Sequence, residues 1–249
     1  ATAAAVEAEL RLRRLLPVRR LLPVRRRGAP PPARPAHRLY LEVLGRDTAL
    51  LHRGGGTTWL SLRHGELLAL LAEHPEGLTG GQLGAALHTH DMAGVTVRAE
   101  LCRLRPLLGP AALDSRPYRL AEPLSSDAGA VREALVRGEV GGAVDLYRGP
   151  VLPSSDAPGV VRLRRRLHDE LREALFASRD PDALLRFADT DHGRLDWQVW
   201  HAAAALLPAT SSRGDQVRAH LANLDAELAG SGVPGGPGGR ATFAQRRFT

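Results

Sequence analysis

The hydrophobic pattern changes period twice between Leu39 and Leu120, and this limits the folds open to the chain more than any other feature. LYLEVLG, Leu39 to Gly45, and ALLHRGGGTTWLSL, Ala49 to Leu62, alternate like strands, with glycines supplying a turn. SLRHGELLALLAEHPEG then repeats at helical spacing, with Ser61 as its cap and Gly77 as its stop. TGGQLGAALHTH predicts a second, shorter helix, VTVRAELCRLRPLLG a third, and LDSRPYRL, Leu113 to Leu120, returns to strand character around a turn. The order is β–β–α–α–α–β-hairpin, an α+β domain over 39–122.

From Ser125 the pattern is helical throughout. SSDAGAVREALVRG, EVGGAVDLY, VVRLRRRLHDELREALFASR, PDALLRFADT, RLDWQVWHAAAALLP and SSRGDQVRAHLANLDAELAG are six helices joined by short links. Such spacing predicts an all-α domain of helical hairpins over 125–229. Trp197 and Trp200, with Leu195 and Leu206, read as hairpin core, and HDELRE, His168 to Glu173, as the polar side of a long helix. Residues 230–249 are too rich in Gly and Pro to fold. At the other end, 1–38 is a basic Arg/Pro-rich arm or linker, in which RRLLPVR occurs at Arg13 and again at Arg19. A start without Met, part-way into a helix, suggests an upstream domain, such as a sensor, outside this chain.

All 34 basic residues are arginine, lysine and isoleucine are absent, and the composition is biased towards Ala, Arg, Gly and Pro, as in GC-rich coding sequences. The net +7 therefore says little until it is located. Residues 1–38 hold ten Arg against Glu7 and Glu9, an excess of +8; 39–122 hold eight Arg against nine acids; 123–249 hold sixteen of each. Within the folded part, Val95 to Arg119 carries five Arg against Glu100 and Asp114, a local +3 on an otherwise acidic domain. That asymmetry favours an anion-binding face, although arginines on the outer side of a core helix can equally serve solvation.

Catalytic and cofactor motifs are absent. Without lysine there is no Schiff-base chemistry, and HRGGGTTW cannot be a P-loop. No G-x-S-x-G or H-E-x-x-H string occurs, so no enzyme activity, cofactor or metal is expected. HTHD, His88 to Asp91, has no further His/Cys cluster to complete a metal site and reads as a loop. The lone Cys102 excludes an internal disulfide and suits a reducing cytoplasm. No apolar run is long enough for a membrane span.

On the third helix Val97, Leu101, Leu104 and Leu108 form one apolar stripe. Thr96, Ala99, Cys102, Arg103 and Pro106 lie opposite, flanked by Arg98 and Arg105. The string WLSLRHGELLALLAEHPEGLTGGQL, followed by this helix and by SRPYRL, resembles the winged helix-turn-helix of response-regulator output domains. The resemblance implies that the third helix enters the major groove of double-stranded DNA and the hairpin touches adjacent backbone. The match T-V-R-x-x-x-x-R-L-R carries the recognition role onto Thr96, Arg98, Arg103 and Arg105, and R-P-Y-R-L carries the wing role onto Arg116 and Arg119. Tyr118 becomes a packing residue, and Arg63 is expected to join the phosphate anchors. Pro106 departs from the pattern and is expected to bend or shorten the last turn.

Downstream, residues 127–175, with AVDLYRGPVL at their centre, are similar to the tetratricopeptide-like bacterial transcriptional activation domain of Streptomyces antibiotic regulatory proteins. Together these resemblances imply a cytoplasmic, actinobacterial-type transcription regulator. Its helical domain would dimerise or contact RNA polymerase. The competing reading is a helical-repeat module that binds protein and uses the winged fold only as a scaffold.

Overall fold

The structure is a computed structural model that describes residues 39–88, 93–109 and 112–230. The arm at 1–38, Thr89 to Asp91 of the HTHD string, and the tail beyond Gly230 lie outside the described residues.

Strands β1 (Tyr40–Glu42), β2 (Leu50–Arg53) and β3 (Gly56–Trp59) pair antiparallel in sequence. Gly54 and Gly55, with φ of 55° and 82°, make the tight β2–β3 turn that only residues free to take positive φ accommodate. Helix α1 (Leu62–Glu73) starts where the Ser61 side chain accepts from the His64 N–H, and it buries Leu67, Leu68, Leu70 and Leu71. Helix α2 (Gly80–Leu87) forms despite three glycines because Thr79 and Gln82 complete a capping box across its first turn. Helix α3 (Ala93–Leu108) follows, then the antiparallel hairpin β4 (Leu113–Ser115) and β5 (Tyr118–Leu120). The expected α+β order is present over this stretch, except that three strands rather than two precede the helices.

Pro106 neither ends nor shortens α3. The helix runs on to Leu108, and Gly109 N–H still reaches the Arg105 carbonyl at 2.9 Å. The ring is exposed, as is Cys102 one turn back, whose carbonyl proline cannot satisfy.

The helical part consists of α4 (Asp127–Val136), α5 (Val140–Leu146), α6 (Pro158–Ser178), α7 (Pro181–Ala188), α8 (Trp197–Leu206) and α9 (Ser212–Gly230). Two expectations need correction here. Trp200 is buried, but Trp197 and Leu195 are 44% and 43% exposed, with the Trp197 indole N–H bonded to Asp225. His168 is half-buried rather than on a polar side, among Tyr147, Phe187 and His192.

A short strand, β6 (Ser125–Ser126), stands between the two parts and joins the sheet parallel to β1, giving the order β3-β2-β1-β6. Directly after it, the Asp127 carboxylate accepts from the Val43 and Leu44 N–H groups at 3.0 Å and from Ala128 at 2.9 Å. Burial pushes this carboxyl above its ordinary range while the three donors pull the other way. Gly45 N–H bonds the Pro150 carbonyl and Leu152 N–H the Val43 carbonyl. Arg132 on α4 pairs with both Glu73 on α1 and Glu170 on α6. Gly159 lets the first turn of α6 close on α1 and α2: a Cβ there would stand 2.7 Å from Leu70 Cδ2 and 2.8 Å from Ala86 Cβ. The buried apolar residues accordingly form one continuous core from Leu39 to Leu224. Among the described residues no helix is long and apolar enough to cross a membrane.

Candidate nucleic-acid interface

Helix α3 is fixed by its leucine stripe. Val97, Leu101, Leu104 and Leu108 are each at most 2% exposed, whereas Arg98, Ala99, Cys102, Arg103 and Pro106 face solvent. The 3.6-residue period therefore places the arginines outward because the leucines are held inward. His64 on α1 and Arg103 both reach the Glu100 carboxylate, at 3.2 and 2.6 Å, which ties the outer side of α3 to α1.

The hairpin is held at both ends. Leu78, just before α2, exchanges two 2.9 Å backbone bonds with Tyr118, adding a third short strand position to β4–β5. The Tyr118 ring lies 3.7 Å from where a Cβ on Gly80 would be, so the aromatic packs the hairpin against the start of α2. Arg105 closes the other side by donating to Ser115 Oγ at 2.6 Å. Helix α3 and the hairpin thus present one joined surface.

Charge on that surface is not spread evenly over its five arginines. Arg103 pairs with Glu100, and Arg119 pairs with Asp114 at 2.8 Å. Arg98, Arg105 and Arg116 have no carboxylate partner among the described residues, so the +3 read from the sequence resides on these three. Both ion pairs are exposed and so weak, which leaves Arg103 and Arg119 able to exchange a carboxylate for another anion. Thr96 lies in the first turns of α3, but its side chain is outside the described residues.

Arg63 stands apart from this group. Its guanidinium donates to the Leu87 carbonyl at 3.1 Å, closing the end of α2, and pairs with Glu66 at 2.8 Å. Glu66 is itself buried at 3% exposure and accepts from Ser155 Oγ at 2.6 Å. Sequence reasoning missed this brace, although a Glu inside the run HGELLALL was its signal. It also missed Arg53, which lies against Gly109 at the carbonyl end of α3. There a cation is favoured by the helix dipole. No local pattern marks Arg53, since the β2–β3 hairpin brings it to α3 from more than fifty residues away.

Residues 180–230, which span α7 to α9, match the family model described as YTH3-like protein, third C-terminal helical domain. Over 229 residues, 92% of the chain, the sequence is 39% identical to a protein of Rhodococcus erythropolis described as an uncharacterized 47.3 kDa protein in the thcA 5'region. The chain spans about half of that relative, 49% of its length.

Proposed function

We propose that the chain is a DNA-binding transcription regulator of the winged helix-turn-helix type, with α3 as recognition helix and β4–β5 as wing. One observation carries this reading: Arg105 and Ser115 lock helix and hairpin into one surface whose excess charge rests on Arg98, Arg105 and Arg116. Guanidinium groups without internal carboxylates suit phosphate, which they bind bidentately. Arg98, Arg105, Arg116 and Arg119 anchor the backbone; Thr96 and Arg103 lie nearest the bases. Arg63 acts instead as a positioning residue that fixes α2 against α1. Phosphate contacts set the register and few base contacts set the sequence. The helical part supplies dimerisation or contact with RNA polymerase.

Titration of the full chain against a mixed-sequence genomic duplex tests the reading. Binding should weaken with salt, and the double substitution Arg98→Gln with Arg116→Gln should flatten the log–log salt slope by about 2, close to 0.9 for each phosphate no longer neutralised. No binding at low salt would sink it. The second reading, a protein-binding helical module, is favoured by one feature: the exposed Trp197 and Leu195 near the start of α8. It gains ground if the duplex is ignored.

A further inference from the structure

Helix α6 gathers arginines in the first half of its exposed face. Arg162, Arg165 and Arg166 are all exposed, and none has an ion-pair partner among the described residues. Positions i, i+3 and i+4 share one helix face. Arg164, between them, turns the other way and donates to the Val151 and Ser155 carbonyls, each at 2.8 Å, so its charge is occupied.

The order of charge along that face opposes the helix. Three arginines occupy the first half of α6, and Asp169 and Glu173 follow on the same side in the second. A helix favours the reverse, anions near its start and cations near its end. Like charges one turn apart also repel. Both effects weigh against the folded helix, and an external anion would relieve both.

From this we infer that the exposed first half of α6 is a second phosphate-binding surface, which takes the flank of the duplex held by α3. The inference rests on the DNA-binding reading above. Placement supports one shared ligand. The first turn of α6 packs on Ala86 in the last turn of α2, and α2 in turn packs on α3, so a single helix lies between the two arginine-bearing helices. Packed helices lie roughly 8–10 Å apart, which puts α6 roughly 20 Å from α3. One turn of duplex, about 34 Å, spans that distance.

Full-length protein and the triple variant Arg162→Gln, Arg165→Gln, Arg166→Gln should be titrated over a salt series with a mixed-sequence duplex of about 40 base pairs, roughly four turns, and a hairpin duplex of about 5 base pairs, roughly half a turn and too short to reach both surfaces. The three positions are exposed, and an unchanged thermal transition verifies that the variant is folded. The expected result is a salt slope flatter by about 2 to 3 on the long duplex, about 0.9 per phosphate, with little change on the short one. By contrast the Arg98→Gln, Arg116→Gln variant weakens both. If the triple variant matches the parent on the long duplex, the inference falls while the DNA reading stands; if the parent binds neither duplex, both fall. If the triple variant keeps duplex binding but loses retention on a polyglutamate resin, α6 meets an acidic protein and the inference is likewise overturned.

Discussion

Asp127 shows what a single side chain contributes at the joint between sheet and helices. Three backbone N–H groups, of Val43, Leu44 and Ala128, converge on its carboxylate in a part-buried site. An amide in its place has one acceptor oxygen and a donor that meets other donors. Asp127→Asn should therefore lower stability by about 1–3 kcal/mol, the cost of leaving buried donors unmet, read as a reduced urea midpoint with unchanged slope. A change under a few tenths would show that the carboxylate is not the fastener. The sequence reveals Asp127 only as an acid in the first turn of a helix, because two of its partners, Val43 and Leu44, lie more than eighty residues back. Arg103 and Glu100 are the opposite case, a pair three residues apart that spacing alone brings together. Pairs bridging distant elements, such as Arg132 with Glu73, leave no local trace.

Among the described residues, the six helices after Ser125 and the three before Gly109 follow the apolar period closely, since each needs one apolar face and that face is written locally. Strand β6 escapes the same reading: two serines have no strand pattern, and only pairing with Tyr40 and Leu41 makes them one. Packing between α5, α6 and α7 is equally hidden. There Tyr147, His168, Phe187 and His192 gather with ring centroids 5.1 to 6.4 Å apart. Burial holds both histidines below the ordinary value of 6.5, with Arg172 adding to the effect at His168, against Asp169 and Asp196. At His192 a backbone bond to Tyr147 and the charge of Asp191 pull upward but do not overcome burial. A histidine whose folded pKa is lowered contributes stability that is full above 6.5 and lost as pH falls from there toward the folded value. Unfolding free energy should thus decline through these two groups as pH falls below 6.5. His168→Phe, which keeps a ring against Tyr147 and Phe187, should reduce that decline; an unchanged pH profile would exclude His168 as a source.

At the scale of the whole molecule, the α+β and helical parts share a sheet edge through β6, a core from Leu39 to Leu224, and the buried Glu66–Ser155 contact. Separating them at 122 strips β1 of its parallel neighbour and exposes Leu70 and Ala86, which α6 covers at Gly159. Such coupling predicts one cooperative unfolding transition for the full chain, with calorimetric and van't Hoff enthalpies equal. Arg132→Met, which leaves the Glu73 and Glu170 carboxylates facing each other without their shared cation, should lower its midpoint without splitting it. The expected destabilisation is about 3 kcal/mol or more if both carboxylates stay dry, and less to the extent that water reaches Glu170, whose side chain is 37% exposed. Two resolved transitions, one raised on binding duplex and one indifferent to it, would instead show parts that fold separately. A single transition also means that any DNA contact made by α3 stabilises α4 to α9 as well, so that duplex binding raises one common midpoint.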